Sequence, residues 1–323
     1  MTDLVYILAA SHSGSTLLAM LLGAHPDLCT VGELRAAYLD DVDNYRCSCG
    51  NRIRECSFWT NISQAMNERQ MPFEITHAGT DFSSIACRYV RRLLRPLHRG
   101  TMLEQVRDVA LWLSPAWRDQ YPLIQQRNAA LAETICTVRS AKMIVDSSKT
   151  ALRLKYLLRN PDLRVKVIRL IRDGRGVALS YMDPANFADA TDPTLRGGGA
   201  GGQRENERLS IDDAAHEWRR SNEEAEQVLA GLDRSSWMQI RYEQLCADPE
   251  ATLGKIFSFL GLKPCSGINS FRDVEHHVIG NGMRLDATSE IRLDERWRKV
   301  LTASQLNTFE RVAGDVNRHH GYS

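Results

Sequence analysis

The sequence predicts an α/β protein: a parallel sheet flanked by helices, with a mostly helical cap inserted into it. Three observations predict this class. Short apolar runs at 4–9, 142–145, 165–171 and 237–241 are rich in β-branched residues and end in polar ones. Helical patterns separate them, as parallel crossovers require. The first run passes through a tight polar loop directly into a helix. In such sheets ligands bind outside the carboxyl ends of the strands.

Taken in order, residues 4–9 read as a fully buried strand and 16–22 as a helix closed by Gly23 and Pro26. Between them lies Ser11-His12-Ser13-Gly14-Ser15-Thr16, in the strand, loop, helix order of an anion cradle. A triphosphate-hydrolysing loop needs a lysine after its second glycine, yet Gly14 is followed by Ser15-Thr16-Leu17 and no lysine occurs in 1–35. That disfavours a kinase or ATPase, and the missing GxGxxG disfavours a dinucleotide site. A P-loop-like cradle for a single phosphate or sulfate-like group remains, with a plain helix N-cap as the alternative.

Residues 44–139 form a long insertion of helical pattern broken at Pro72, Gly79, Pro96, Gly100, Pro115 and Pro122. It is expected to cap the sheet edge. The strand runs at 142–145 and 165–171 follow, then a glycine-rich, charged stretch at 191–211, read as a mobile surface linker or as a lid over substrate. Helices are expected at 212–232 and 245–260, the latter ended by Gly261, around the strand at 237–241. The whole chain, 1–323, is expected to be one domain with its core in 1–43 and 140–323.

With 41 basic against 40 acidic residues, the chain has no global field to make nucleic acid or a membrane its partner. Met1-Thr2-Asp3 lacks the basic start of a secretory signal, so a cytoplasmic protein is expected. Five of the eight cysteines, Cys29, Cys87, Cys136, Cys246 and Cys265, are scattered singly, as reduced cysteines are. The other three form Cys47-x-Cys49-x6-Cys56. They would hold zinc if Cys29, His25 or His77 approached as a fourth ligand, but the paired CxxC of structural zinc sites is absent. A reduced cluster anchoring the cap, or a redox-labile Cys49/Cys56 pair, is the favoured reading, and no metal is assigned.

Ser13-Gly14-Ser15-Thr16-Leu17 with Ala24-His25-Pro26 resembles the 5′-phosphosulfate loop of the sulfotransferases, which usually reads Lys or Arg followed by Ser-Gly-Thr-Thr. Leu170-Ile171-Arg172-Asp173-Gly174-Arg175 with Ser180 is similar to the family's 3′-phosphate motif. Arg241-Tyr242-Glu243, Leu245, Asp248-Pro249 and Phe259-Leu260-Gly261-Leu262 resemble a third family run. The marks occur in family order. They place the chain near the bacterial branch of the PAPS-dependent sulfotransferases, with features of the tyrosylprotein branch.

The resemblance implies a co-substrate, 3′-phosphoadenosine 5′-phosphosulfate (PAPS), a product nucleotide (PAP), no metal, and transfer to a hydroxyl, phenol or amine of a small molecule, glycan or peptide. His12, Ser13, Gly14, Ser15, Thr16 and Leu17 would face the phosphosulfate, Arg172 and Ser180 the 3′-phosphate, and Tyr242 the adenine. Gly280-Asn281-Gly282-Met283-Arg284 resembles a closing element in which Arg284, and less directly Asn281, would meet phosphate; Gly-Asn-Gly is also simply a turn. Ungapped alignment from His12 places the tyrosylprotein branch's catalytic glutamate on Glu33, the candidate general base. Lys149, at the end of the second run, is the candidate electrostatic catalyst. The alternatives are a solvated Glu33–Arg35 pair, a structural Arg172–Asp173 pair and a surface Lys149. His12 stands where the family has a cation. An imidazole of reference pKa near roughly 6.5 is largely neutral at pH 7, so either a bound anion charges His12 or Lys149 supplies the charge. The functional alternatives are a catalytically weak nucleotide-binding protein of this fold and, more distantly, a P-loop kinase.

Overall fold

A computed structural model of the chain describes residues 1–35, 39, 41–97, 100–199, 207–265 and 270–323. Five parallel strands, β1 (Thr2–Leu8), β2 (Leu28–Thr30), β3 (Met143–Lys149), β4 (Leu163–Ile171) and β5 (Trp237–Arg241), form one sheet in the order β2-β3-β1-β4-β5. The helices are α1 (Ser15–Gly23), α2 (Ser57–Glu68), α3 (Arg88–Leu93), α4 (Gly100–Trp112), α5 (Pro115–Arg139), α6 (Ala151–Leu157), α7 (Gly174–Met182), α8 (Pro184–Phe187), α9 (Ile211–Leu229), α10 (Tyr242–Ala247), α11 (Pro249–Leu260), α12 (Trp297–Val300) and α13 (Ala303–His319). None of the described helices is long and apolar enough to cross a membrane.

The sheet is buried on both faces, which is why its strands read as unbroken apolar runs. Along β1, Leu4, Tyr6 and Leu8 face one core with α5 and α6, whereas Val5 and Ile7 face the other with α1 and α11. β1 lies between β3 and β4, so the chain leaving it is flanked by the carboxyl ends of both. This brings residues 9–14, Lys149 and Arg172 to one edge.

Two segments, β2 and the helix at 245–260, differ from expectation. β2, only three residues long, is too short to carry a periodicity. The helix expected at 245–260 is two helices: Asp248 breaks it and its side chain accepts from Ala251 N at 2.9 Å, with Pro249 in the first turn of α11. Residues of the insertion at 44–139 share one core with the sheet; Ile62 and Met66 of α2 and Leu131 and Ile135 of α5 cluster with Leu4 and Tyr6. Of the glycine-rich stretch, residues 200–206 lie outside the described residues. Gly198, just before them, is buried at φ +77°, and a Cβ there would meet the Tyr45 ring at 2.1 Å, so this turn is a packed wall.

One polar knot ties these layers together. Asp146 in β3 is fully buried, and its Oδ2 accepts from Arg153 Nε of α6 at 3.2 Å, the arginine being 3% exposed. Arg153 also donates to Asn128 Oδ1 of α5 and to the Thr80 carbonyl, both at 2.7 Å. The other oxygen, Oδ1, accepts from Leu34 N at 3.1 Å, Ser148 N at 2.9 Å and the Ser148 hydroxyl. A buried charge needs such compensation, and removing one partner of a buried pair costs about 3–5 kcal/mol. Arg153→Met is therefore expected to lower unfolding free energy by about that amount, with the urea midpoint at neutral pH as the measurement.

Candidate active site

The loop after β1 is built from left-handed backbone. His12 has φ +64° and Gly14 φ +90°, the second being a conformation only glycine adopts freely. Space demands the same residue: a Cβ on Gly14 would stand 2.6 Å from the Tyr242 ring. α1 then begins at Ser15 with no side-chain cap and no acidic residue in its first turn. The plain N-cap alternative is thus not realised, and the opening amides of α1 are left for an anion. Gly14, Ser15, Thr16 and Leu17 line a cleft of about 1430 Å³; Ser13 lies beneath them, buried, its hydroxyl without a hydrogen-bond partner. The His12 and Tyr181 rings meet in a T-shaped pair, with centroids 4.7 Å apart.

Arg172 immediately follows β4 and is buried in the cleft wall. Its Nη1 donates to the His12 carbonyl at 2.8 Å, its Nη2 to Asp294 Oδ2 at 2.9 Å, and its guanidinium lies 4.6 Å from the Tyr242 ring centroid. Asp173 pairs with Arg175 at 2.7 Å instead, and caps α7 through Arg175 N. The Arg172–Asp173 alternative therefore fails. Burial raises the Asp294 pKa, but hydrogen bonding from Arg296 and the Arg172 charge outweigh it and hold the carboxyl at about 2.

Two expected phosphate ligands point elsewhere. Ser180 is fully buried in α7, and its hydroxyl donates back to the Gly176 carbonyl at 3.0 Å, the usual fate of a serine inside a helix. Arg284 is 2% exposed and donates to four backbone carbonyls: Gly280 at 2.7 Å, Asn281 at 3.0 Å, Gly198 at 2.9 Å and Arg46. It staples the wall around Tyr45 and does not line the cleft. Asn281 does line it, but its side chain caps a turn, accepting from Met283 N at 2.9 Å and donating to the Ala188 carbonyl.

Glu33 and Lys149 face each other across the cleft as an ion pair, with Lys149 Nζ donating to Glu33 Oε1. The backbone on either side is held firmly. Ser147 N donates to the Gly32 carbonyl at 2.9 Å, Leu34 N to Asp146, and Arg35 N to the Ser148 hydroxyl at 3.0 Å. Arg35 itself pairs with Asp81 at 3.0 Å, so the Glu33–Arg35 alternative is not formed. Lys149 has φ +69°, an uncommon conformation for a lysine that turns its side chain off the strand end. The sequence reading missed Asp294 and Tyr45, both on the cleft wall; neither stands in a motif, and only folding brings them there.

A family model described as the sulfotransferase family matches residues 5–264. Among curated proteins, Carbohydrate sulfotransferase 5 of Mus musculus is 23% identical over 208 residues, covering 62% of this chain and 53% of that protein. Carbohydrate sulfotransferase 2 of Homo sapiens is 27% identical over 188 residues, covering 49% and 34%. The chain thus spans about half, or less, of the length of these curated relatives. Among solved structures, the sulfotransferase domain from the curacin biosynthetic pathway matches with a TM-score of 0.53 at 20% identity, covering 100% of this chain and 99% of that one, a likeness of fold.

The cradle geometry is directly testable at Gly14. Gly14→Ala forces a Cβ into the Tyr242 ring at a positive φ, and strain of this kind costs about 1–3 kcal/mol. A lowered urea midpoint is expected for Gly14→Ala, whereas Gly254→Ala, whose Cβ would meet nothing within 4 Å, should not show it.

Proposed function

We propose that this chain, which belongs to the sulfotransferase family, moves the sulfuryl group of PAPS to an acceptor and releases PAP. The observation that carries the reading is one cleft lined by three sequence-distant parts: the loop at the start of α1, Arg172 under Tyr242, and the Glu33–Lys149 pair. The residues fit such a donor. Uncapped amides, an orphaned Ser13 hydroxyl and a glycine with no room for a side chain suit a phosphosulfate. A buried arginine suits a terminal phosphate.

The donor supplies the sulfuryl group; the chain supplies position, charge and a base. The loop from His12 to Leu17 would orient the phosphosulfate, and Arg172 would grip the 3′-phosphate with Tyr242 beside the adenine. Glu33 would take the acceptor's proton at a carboxylate oxygen as the new S–O or S–N bond forms and the S–O bond to the leaving phosphate breaks. Lys149, one hydrogen bond from Glu33, would stabilise the charge left on that phosphate. This assigns the cation missing at His12 to Lys149, while His12 contributes its carbonyl to Arg172. Ser180 and Arg284, committed to backbone carbonyls, serve the walls in this reading.

The acceptor is a hydroxyl, phenol or amine of a small molecule, glycan or peptide. The curated relatives are named for carbohydrates, which puts a sugar hydroxyl first. The reaction itself asks for no metal, nucleic acid or membrane. A cytoplasmic setting belongs to the same reading, since a reducing compartment keeps cysteines out of disulfides.

Two variants test the assignment. Glu33→Gln is expected to lower transfer from radiolabelled PAPS by roughly 10²–10⁴-fold, the span of general-base catalysis, with PAP affinity retained in calorimetry. Turnover at the wild-type rate would sink the base. Arg172→Ala should weaken PAP by about ten- to a hundredfold, as loss of charged hydrogen bonds implies, and should weaken the analogue lacking the 3′-phosphate far less. Equal losses would show that Arg172 does not read that phosphate.

A further inference from the structure

Outside the cleft, three cysteines close in sequence converge with a histidine that the chain separates widely from them. Cys47 and Cys49 lie in the segment before α2, Cys56 immediately precedes α2, and His277 lies in the segment after α11. All four ligand atoms lie within 4.8 Å of one another. Cys47 Sγ is 3.7 Å and Cys56 Sγ 3.4 Å from His277 Nδ1, and Cys49 Sγ is 3.7 Å from Cys56 Sγ. Zinc bonds of about 2.3 Å to sulfur and 2.0–2.1 Å to nitrogen put tetrahedral ligands about 3.8 Å apart for two sulfurs and about 3.6 Å for sulfur and nitrogen. The three distances given above lie within about 0.2 Å of these values.

We propose that Cys47, Cys49, Cys56 and His277 bind a structural zinc ion. The histidine is the fourth ligand that the cysteine spacing alone did not reveal. Its ring is fixed as a metal-binding imidazole is fixed. Nε2 lies 3.3 Å from Glu275 Oε1, so that nitrogen carries the proton and Nδ1 turns its lone pair toward the sulfurs, while Phe58 stacks on the ring at 4.3 Å. The sulfurs also have donors suited to thiolates: Asn51 Nδ2 approaches Cys49 at 3.7 Å, and Cys56 sits at the N-terminus of the 12-residue α2. Gly50, at φ +87°, closes the turn that carries Cys47 and Cys49, with Gly50 N donating to the Cys47 carbonyl at 2.9 Å.

Three sulfurs and one nitrogen fill a tetrahedron, so the site is closed and performs no chemistry on substrate. Softness and geometry of the ligands select zinc. Its role is to pin two strips of cleft wall. Next to Cys47, Ser48 Oγ donates to the His276 carbonyl at 2.7 Å and accepts from Val278 N at 2.8 Å; Tyr45 OH exchanges hydrogen bonds with Gly280. Gly280 in turn lies against Glu33, where an added Cβ would come within 3.5 Å of Oε1. The proposal stands independently of the sulfuryl-transfer reading.

The test is metal content of the full chain, purified under reductant without chelating resin. Elemental analysis is expected to find about one zinc per chain, the stoichiometry of a structural site. Exchange for Co²⁺ should give the intense visible bands and near-ultraviolet thiolate charge transfer of a tetrahedral sulfur site. Cys47→Ser and His277→Ala should lose the metal, whereas Cys246→Ser, remote from the cluster, should keep it. The wild-type cobalt spectrum decides the matter even where a variant fails to fold. Folded wild-type protein that takes up neither metal on reconstitution would overturn the proposal, as would a Cys49–Cys56 disulfide in freshly purified protein.

Discussion

A fully buried carboxylate in the middle of an interior strand has to be compensated, and the way Asp146 is compensated positions much of this molecule. Its two oxygens take Arg153 from α6 and the amides of Leu34 and Ser148, and Arg153 reaches on to α5 and to Thr80. Apart from Ser148, which shares β3 with Asp146, these groups come from different segments. The ion pair is costly to desolvate and costlier to break, so the segments cannot drift apart singly. Glu33 lies one residue before Leu34 and Lys149 one residue after Ser148, which makes the facing pair in the cleft a direct consequence of the knot beneath it.

The sheet supplies the second constraint. Because β1 sits between β3 and β4, the turns after β1 and β3 are neighbours, and Ala9 N donates to the Lys149 carbonyl at 3.2 Å. Each turn holds a non-glycine residue with positive φ, His12 at +64° and Lys149 at +69°. Such conformations cost about 1–3 kcal/mol and persist only where surroundings over-determine them. Here they turn the His12 carbonyl to Arg172 and the Lys149 ammonium to Glu33. Strain at two adjacent strand ends, with both side chains lining the cleft, supports a site organised before any ligand arrives.

Much of this was legible in the residues themselves. Doubly buried strands announce themselves as apolar runs, and the loop after β1 could be read because glycine and small hydroxyls before a helix have few other uses. What the sequence hid has a common cause: residue type tells which bonds a group can make, not which partner reaches it first. Ser180 and Arg284 have the chemistry of phosphate ligands, yet a carbonyl one helical turn back and four wall carbonyls claimed them. Asp146 looked like one polar residue at a strand end. β2 was too short to be periodic, and His277 stands 221 residues from Cys56, beyond any local spacing rule.

The electrostatics of the cleft follow from the same need to compensate buried charge. Both cations proposed for the donor already hold a carboxylate: Lys149 holds Glu33, and Arg172 holds Asp294, whose pKa of about 2 keeps it ionised at any ordinary pH. Left unpaired, each cation would bear a desolvation cost of several kcal/mol. Paired, each demands that an incoming anion replace what the carboxylate provides. An anion charged at one end exchanges with one pair and leaves the other closed. In the proposed reading, a nucleotide with phosphate at both ends would meet both cations and, in displacing Lys149 from Glu33, would leave that carboxylate free to accept a proton. In that reading, the paired resting state would link donor binding to the release of the proposed base.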